Sequence, residues 1–357
     1  MRILQVITSL RTGGAEKLMV DLLPRLRDLG HEVDLCVFDG LRTPFYDTLE
    51  SKGIRVIPLR VGGSVYDPRN TFALVSLIKK YDVVHTHNTA CQMYVAMANV
   101  FAKKCIVTTE HSTSNRRRKY PMLKWLDAWM YRQYQTIVTV SDIAGQNIKD
   151  YIGDASLPTK TITNGIDVNR FRNAEPCQEI ADAYKDCFVC VMVAGFRYEK
   201  DHATVIKAFS HLPEQYHLLL VGDGEKRGDL EALVATLGLG ERVHFLGIRM
   251  DVPNLLQAAD VVIMSSHREG LSLSNLEGMA SGKPFIASDV EGLHEIVDGA
   301  GILFPHQDAE ALAGLIRECC EDRNFANYVG ANCYARAKKY DISKMAEQYA
   351  NLYSVIK

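Results

Sequence analysis

The sequence predicts an α/β fold with two doubly wound parallel sheets that follow one another along the chain. Short apolar runs rich in β-branched residues alternate with amphipathic stretches of about ten to fifteen residues. The runs are almost continuously hydrophobic, which is typical of strands covered by helices on both faces. The alternation stops once, in residues 169–186, and then starts again, which indicates two separate units.

Length and composition agree with a globular protein of this kind. At about 150 residues per domain, 357 residues correspond to two or three domains with a large buried core. Hydrophobic residues make up 47% and charged residues 24%, which excludes disordered, collagen-like and coiled-coil proteins. The formal net charge of -2 provides no overall field that would attract nucleic acid, so we expect no nucleic-acid partner.

Cysteine usage and hydropathy favour the cytoplasm. The 9 cysteines are an odd number, and they lie between Cys36 and Cys333 without the spacing of a disulfide framework. The longest apolar stretch, near residues 187–196, is too short to span a bilayer. Met1 leads directly into a strand with no signal-peptide pattern, so we expect a cytoplasmic protein.

The first domain is predicted over residues 1–168. Its strand candidates are residues 2–8, 33–38, 54–57, 82–87, 105–109, 136–140 and 160–163. We expect the polar segment 169–186, which contains Pro176, to be the linker between domains.

The second domain is predicted over residues 187–340. Its strand candidates are residues 187–194, 217–221, 243–246, 260–264, 284–288 and 301–304. Residues 341–357 carry Met345, Tyr349, Leu352 and Ile356 at helical spacing and are predicted to form a terminal helix. Two parallel sheets in series place the loops after their strands along a shared cleft, where we expect ligands to bind.

The segment 265–297 carries the strongest functional signal. It follows a buried strand, turns at Glu269 and Gly270, and opens a helix near Ser272. Unpaired amides at a helix N-terminus, with Ser272 and Ser274 beside them, can bind a phosphate or diphosphate. Glu277 lies eight positions after Glu269, so one ligand could meet both carboxylates. The alternative is a serine that caps the helix and a pair of ordinary surface glutamates.

Weaker motifs suggest other ligands. Gly222-Asp223-Gly224 loosely matches a dinucleotide fingerprint, but the next strand ends in Phe245-Leu246-Gly247 without the acidic residue that holds a ribose. His85, His87 and His111 could be drawn as a zinc site, although a polar cleft wall is the simpler interpretation. No two aspartates are separated by a single residue, so a DxD metal motif is absent from the sequence.

The segment 265–297 resembles the E-x7-E signature of glycosyltransferase family four, the retaining enzymes with the GT-B fold. Further motifs fall in the order that this family shows, over almost the full length of the chain. They are Gly13-Gly14-Ala15-Glu16, Thr109-Glu110-His111-Ser112, Val140-Ser141, Asn164-Gly165-Ile166-Asp167, Lys200, Gly222-Asp223-Gly224, Gly247 and Glu295-Ile296-Val297. The resemblance implies two Rossmann-like domains facing a cleft, the first for the acceptor and the second for a nucleotide-sugar, with the terminal helix returning to the first.

The resemblance also implies roles for individual residues. His111 and Glu269 would be the catalytic residues. The donor sugar would be held by His111, Glu269, Gly270, Leu271 and Ser272, the diphosphate by Gly14, Arg197, Lys200, Leu273 and Ser274, and the nucleoside by Gly247, Ile248, Arg249 and Glu277. The missing side chain of Gly14 would let the backbone approach the diphosphate.

One position departs from the family pattern. The family usually has an arginine a few positions before its phosphate-binding lysine, and this chain has Gly195 there. We expect Arg197 to supply that charge together with Lys200, because a diphosphate leaving group needs cations at the cleavage step. The alternative is an ordinary surface arginine. We expect no metal ion and no other cofactor.

A basic run, Arg116-Arg117-Arg118-Lys119, precedes a helix that holds both tryptophans of the chain, Trp125 and Trp129. Met122, Leu126, Trp129 and Met130 share one helical face, which we expect in the core. The segment from Arg116 to Trp129 either lies on an anionic membrane as a peripheral contact or forms a solvated loop before a core helix.

Together these observations predict a cytoplasmic, metal-independent, retaining glycosyltransferase. It would move a hexosyl or N-acetylhexosaminyl group from a nucleotide diphosphate sugar to a hydroxyl of a glycan or lipid-linked saccharide. Two alternatives stay open: a non-hydrolysing nucleotide-sugar epimerase of the same architecture, and a nucleotide-sugar-binding protein without turnover.

Overall fold

The computed structural model describes residues 1–11, 13–111, 121–269 and 272–357. The chain forms two compact units, Met1–Gly165 with Ile342–Lys357, and Ile166–Asp341. Each unit contains a parallel sheet between helices, which confirms the predicted fold class. Among the helices of these residues, none combines the length and the apolar character that a membrane span needs.

The sheet of the first unit has seven parallel strands within the described residues, in the order β3-β2-β1-β4-β5-β6-β7. The strands are β1 Arg2–Ile7, β2 Glu32–Val37, β3 Arg55–Pro58, β4 Val83–His87, β5 Cys105–Glu110, β6 Thr136–Thr139 and β7 Thr159–Thr161. The order reverses on either side of β1, as in a doubly wound sheet. Each strand candidate of the first half corresponds to one observed strand.

Helices cover both faces of this sheet. They are α1 Gly14–Asp28, α2 Pro44–Ser51, α3 Arg69–Ile78, α4 Thr89–Ala102, α5 Lys124–Tyr131 and α6 Asp142–Ile152. Because side chains alternate along a strand, Ile3 and Ile7 pack in one apolar core with α1, and Leu4 and Val6 pack in another with α3 and α4.

The second unit contains six parallel strands in its described part, in the order β10-β9-β8-β11-β12-β13. They are β8 Phe188–Val193, β9 Tyr216–Val221, β10 Val243–Gly247, β11 Val261–Met264, β12 Phe285–Asp289 and β13 Ile302–Pro305. All six predicted strands of the second half are therefore present.

The helices of the second unit begin before its sheet. They are α7 Val168–Arg172, α8 Gln178–Ala183, α9 His202–Phe209, α10 Arg227–Thr236, α11 Val252–Ala258, α12 Leu273–Ala280, α13 His294–Val297, α14 Ala309–Glu321 and α15 Arg323–Ala337. Segment 169–186 is thus not an extended linker, because Phe171 and Ile180 are buried in the core of this unit. The first domain ends at Gly165 instead of residue 168.

The last helix, α16 Ile342–Ile356, belongs to the first unit. It packs beside α1, and Met345, Tyr349, Leu352 and Tyr353 are buried. Tyr349 follows Met345 by four residues, and Leu352 and Tyr353 follow Tyr349 by three and four, so all four lie on one face of the helix. Ile356, the last residue of the predicted stripe, is partly buried against the same core.

Candidate active site

The loop after β8, residues 195–200, is held against the loop after β9. The amide of Phe196 donates to the Asp223 carbonyl at 3.0 Å, and the amide of Lys226 donates to the Phe196 carbonyl at 3.0 Å. A Cβ atom at Gly224 would collide with the carbonyl of Phe196, so this contact requires a glycine. Packing between the two loops therefore explains Gly224 of the Gly222-Asp223-Gly224 motif, and no dinucleotide is needed to explain it.

Lys200 closes this loop and forms an ion pair with Glu269, which follows β11. Only 17% of the Lys200 side chain and 13% of the Glu269 side chain is exposed. Burial, followed by the positive charge of Arg197, lowers the pKa of Lys200 to about 8. The hydroxyl of Ser266 also donates to Glu269 Oε2 at 3.3 Å. The structure therefore brings together an ammonium and a carboxylate that lie 69 positions apart in the sequence.

Backbone hydrogen bonds fix the two loops that carry this pair. The amide of Asp201 donates to the Ser265 carbonyl at 3.0 Å, and the amide of His267 donates to the Glu199 carbonyl at 2.9 Å. The amide of Ser266 in turn donates to Ser288 Oγ at 2.9 Å. The pair thus lies at the carboxyl ends of the neighbouring strands β8 and β11. Residues held by regular secondary structure are positioned more precisely than residues on free loops.

Arg197 lies close to Gly195, the position at which the family pattern has an arginine. A Cβ atom built at Gly195 would be 3.7 Å from Arg197 Nε, so the arginine side chain passes beside the position of the missing family arginine. Arg197 is exposed, and its positive charge contributes to the lowered pKa of Lys200. Two cations therefore stand at the carboxyl end of β8.

Helix α12 presents its N-terminus after the β11 loop. Ser272 is the N-cap residue, and its side chain makes no capping hydrogen bond within the described part of the chain. Leu273 and Ser274 form the first turn and are half-buried, whereas Glu277 is buried. Gly270 and Leu271, both predicted to contact the donor sugar, lie outside the described residues. The start of this helix favours negative charge through its dipole.

Sequence reasoning overlooked Asn275 in the same helix. Its side chain is fully buried, and neither its Oδ1 nor its Nδ2 atom has a hydrogen-bond partner in the described residues. Buried polar atoms normally find partners, so a water or ligand group is expected to complete this site. The sequence did contain a sign of this site, because Asn275 is a polar residue between the apolar residues Leu273 and Leu276.

The predicted nucleoside contacts follow β10. Gly247 has a φ of +66° and its carbonyl accepts the amide of Gly222 at 2.8 Å. Ile248 is 61% exposed. The Arg249 guanidinium is engaged with both carboxylate oxygens of Asp251, at 2.8 and 2.7 Å, and lies 3.5 Å from Glu179. The Arg249 side chain therefore stabilises its own loop through these ion pairs.

In the first unit, Gly14 is the first residue of α1 and is exposed. His111 directly follows β5 and is half-buried. Its Nε2 atom lies 2.9 Å from Nδ1 of His87, and His87 Nε2 lies 2.7 Å from Gln5 Oε1. Burial lowers the pKa of His111 to about 4, so its ring is neutral at pH 7.

His85 and His87 form neither a zinc site nor a polar cleft wall. Both are fully buried, and His85 is bonded through Nδ1 to the Tyr353 hydroxyl at 2.6 Å and through Nε2 to Thr109 Oγ1 at 2.7 Å. All four ring nitrogens of the pair therefore have protein partners. The Gln5 contact was not predicted, although a polar residue in the middle of an apolar strand was visible in the sequence.

One group of residues in the described ranges could hold a cation. Ligand atoms of Asp201, His267 and His306 lie within 4.8 Å of one another. They already have partners, however: His267 Nδ1 is 3.0 Å from His306 Nε2, and Asp201 Oδ1 accepts the Thr204 amide at 3.2 Å. The Asp201 carboxylate thus has a structural role as the N-cap of α9.

Two parallel α/β units in series, the second with a buried ion pair and a helix N-terminus at its strand ends, match the architecture of GT-B glycosyltransferases. The model of "Glycosyltransferase Family 4" matches residues 12–170, and that of "Glycosyl transferases group 1" matches residues 177–336. Together the two models span most of the chain. The chain belongs to glycosyltransferase family four and is a transferase enzyme.

Relatives and solved structures agree with this assignment. UDP-Gal:alpha-D-GlcNAc-diphosphoundecaprenol alpha-1,3-galactosyltransferase of Escherichia coli is 26% identical over 81% of this chain and 80% of its own. Phosphatidyl-myo-inositol mannosyltransferase of Mycolicibacterium smegmatis is 28% identical over 96% of this chain and 90% of its own. The structure of Anabaena HepE in complex with UDP-glucose has a TM-score of 0.85 at 24% identity, covering 99% of this chain and 100% of that one, which shows a shared fold.

Proposed function

We propose that the chain is a retaining glycosyltransferase that moves a hexosyl or N-acetylhexosaminyl group from a UDP-sugar to a hydroxyl acceptor. The observation that carries this proposal is the buried Lys200–Glu269 pair beside the N-terminus of α12. A cation and a helix dipole suit a diphosphate, and a carboxylate beside them suits the sugar that the diphosphate carries. Because HepE shares this fold and was solved with UDP-glucose, it supports a uridine nucleotide as the donor.

In the proposed mechanism the protein acts by positioning and by stabilising charge. Lys200, Arg197 and the amides of Leu273 and Ser274 neutralise the leaving diphosphate, while Glu277 holds the ribose. The departing phosphate oxygen takes the proton of the acceptor hydroxyl on the same face of the sugar. The acceptor oxygen bonds to the anomeric carbon as the bond from that carbon to the phosphate oxygen breaks, so no enzymic nucleophile takes part. No metal ion is needed, because the two cations and the helix dipole supply the required positive charge.

The proposed acceptor is a lipid-linked saccharide or a glycan at the cytoplasmic face of a membrane. The names of the Escherichia coli and Mycolicibacterium smegmatis relatives both specify lipid-linked acceptors. In this chain Met122 is 84% exposed and Trp125 is 72% exposed. The predicted placement of Met122 in the core is therefore wrong. The basic run 116–119 lies outside the described residues, and its charge would favour an anionic lipid surface beside these two side chains.

Binding and turnover experiments test this proposal. Thermal shifts with a panel of nucleoside diphosphates should single out one base, since a ligand at a hundred times its Kd adds about 2.7 kcal/mol of stability. With the matching sugar donor and a lipid-linked acceptor, NMR of the anomeric proton should show retained configuration, and excess chelator should leave the rate unchanged. Inverted product or metal-dependent turnover would contradict the mechanism. Sugar interconversion without acceptor would identify an epimerase, and binding without turnover a binding protein.

A further inference from the structure

A continuous chain of hydrogen bonds connects the terminal helix to His111 inside the first unit. It begins at the Tyr349 hydroxyl, 3.0 Å from Thr109 Oγ1, and passes to His85 and then to Tyr353. Gln5 joins Tyr353 to His87, with Nε2 3.1 Å from the Tyr353 hydroxyl and Oε1 2.7 Å from His87 Nε2. The last bond joins His87 to His111. We call this set of residues the relay.

The relay occupies one face of the sheet, where α16 covers it. Gln5 pairs with His85 in the β1–β4 register, and His87 pairs with Thr109 in the β4–β5 register. Because side chains alternate along each strand, these residues point to the same side as Ile3 and Ile7. Gln5, His85 and His87 are fully buried, so each of their polar atoms needs a partner.

The chemistry of Gln5 sets the direction of these bonds. An amide oxygen only accepts and an amide nitrogen only donates. Oε1 of Gln5 therefore accepts the Nε2–H of His87, and Nε2 of Gln5 donates to the Tyr353 hydroxyl. A neutral imidazole donates from one nitrogen and accepts at the other. Once the donor nitrogen of one ring is fixed, its other nitrogen must accept, so the neighbouring ring has to donate to it.

These bond directions require neutral histidine rings, and burial keeps the rings neutral. Burial lowers the pKa of His85 to about 3 and lowers that of His87 well below its ordinary value. The ring centroids of these two residues are only 4.4 Å apart, and those of His87 and His111 are 5.1 Å apart. A charge on one ring would therefore disfavour a charge on the next.

We propose that Gln5 is a positioning residue that fixes the tautomer of His111. With its Nε2–H held by Gln5, His87 accepts through Nδ1 and holds the proton of neutral His111 on Nε2. His111 then offers the lone pair of Nδ1, so it accepts a hydrogen bond from a substrate hydroxyl and donates no proton. The contact with a donor-sugar hydroxyl rests on the proposed function, whereas the tautomer does not.

Nitrogen-15 NMR of histidine-labelled protein without ligand tests the tautomer directly. The resonances of His111 are assigned by their loss in His111→Asn. We expect a neutral ring protonated at Nε2 in the wild type. We expect the single pattern to be replaced by mixed tautomers in Gln5→Met, which has a similar volume but only a weakly accepting sulfur in place of the amide. A ring of wild-type His111 protonated at Nδ1, or an imidazolium, would overturn the proposal.

Two further variants separate this role from simple destabilisation. Thr86→Val removes a buried hydroxyl from the same strand as His85 and His87, but on the opposite face, where Thr86 bonds Tyr134. It should leave the His111 spectrum unchanged. Tyr353→Phe removes only a hydroxyl, so it keeps the test available if Gln5→Met does not fold, and it should also mix the tautomers by releasing the Gln5 amide. Identical spectra in folded Gln5→Met or Tyr353→Phe and wild type would reject the role of Gln5.

Steady-state kinetics then test whether the tautomer of His111 affects the use of the donor sugar. Gln5→Met should lower kcat/KM for the donor by about ten-fold, the value of one hydrogen bond, while UDP affinity stays unchanged because UDP carries no sugar. Equal losses in kcat/KM for Gln5→Met and Thr86→Val would contradict the positioning role. If the wild type binds no nucleoside diphosphate at all, the proposed function fails, but the NMR result on the tautomer still stands.

Discussion

The ammonium of Lys200 and the carboxylate of Glu269 form an ion pair across two neighbouring strand ends of the second unit. A pair this buried is stable only when further polar contacts complete it, and the Ser266 hydroxyl provides one of them. An incoming diphosphate would compete with Glu269 for Lys200. On the proposed function, the ion pair would therefore couple phosphate binding to the release of the carboxylate that is proposed to hold the sugar.

The two glutamates should have different effects on nucleotide binding. Glu277→Gln is expected to weaken UDP binding about ten-fold to a hundred-fold, because a hydrogen bond to a charged group contributes about 1.5 to 3 kcal/mol. The ribose does not change during the reaction, so this variant should raise KM and spare kcat. Calorimetric titration with UDP measures the first effect and steady-state kinetics the second.

Glu269→Gln is the matched variant for this comparison. It removes a negative charge beside the phosphates, so it should not weaken UDP binding, and kcat should fall because the carboxylate contacts the sugar in the proposed mechanism. Equal weakening of UDP binding by both substitutions would show that the two roles are assigned wrongly.

Arg197 and Gly195 allow a rescue experiment. Arg197→Gln should weaken UDP binding by about two-fold to five-fold, because one exposed cation near a diphosphate is lost. A Cβ atom at Gly195 would make only ordinary contacts, 3.6 Å from the Asp223 carbonyl oxygen and 3.7 Å from Arg197 Nε, so this position accepts a Cβ atom without a clash. Adding Gly195→Arg to Arg197→Gln should restore most of the affinity in the same titration.

Arg227→Gln serves as the control for this pair, because Arg227 is paired with Glu231 at 2.8 Å. An unchanged UDP affinity in Arg197→Gln, or a loss of the same size in Arg227→Gln, would assign Arg197 to the ordinary surface.

Membrane binding should depend on charge and on Trp125. Each basic residue near an anionic surface contributes about 1 kcal/mol, and salt screens this attraction. The protein should sediment with vesicles containing anionic lipid at low salt and be released at high salt. Replacing residues 116–119 with glutamine, or Trp125 with alanine, should weaken the binding.

Phe72→Ala is the matched control for Trp125, since Phe72 is 76% exposed on α3 of the same unit. Its binding should equal that of the wild type. Equal sedimentation with neutral and anionic vesicles, or none with either, would exclude this surface as a membrane contact.

The first unit should lose stability in mild acid. Burial lowers the pKa of His85 to about 3 and that of His87 well below its ordinary value. Histidines of the unfolded chain titrate near pH 6.5, so below that pH the unfolded state binds more protons and unfolding is favoured. Each buried histidine should cost up to about 1.4 kcal/mol per pH unit between about pH 6 and pH 4.

Urea unfolding followed by tryptophan fluorescence at pH 7 and pH 5 measures this effect, because both tryptophans lie in the first unit. His87→Gln should reduce the pH dependence. His294→Gln should not, because Asp289 raises the pKa of His294 and that residue therefore stabilises the protein only at lower pH. A free energy of unfolding that is equal at both pH values would contradict neutral, buried histidines.

Hydrophobic periodicity by itself determined the two α/β units, their thirteen strands within the described residues and the buried stripe of α16. These features depend on local patterns, because burying a strand or a helix face requires apolar residues at a fixed period. The motif around Glu269 and Glu277 also suggested the family by resemblance, because such a signature lies within one short segment of the chain, and the family models confirm it.

Tertiary structure decided what depends on contacts between distant residues. Segment 169–186 looked like a linker because it is polar, but Phe171 and Ile180 anchor it in the second core. The pairing of Lys200 with Glu269, the passage of Arg197 beside Gly195, and the role of Gln5 depend on strand order and register. Single-residue patterns do not encode which strands become neighbours, so only the folded sheet brings these side chains together.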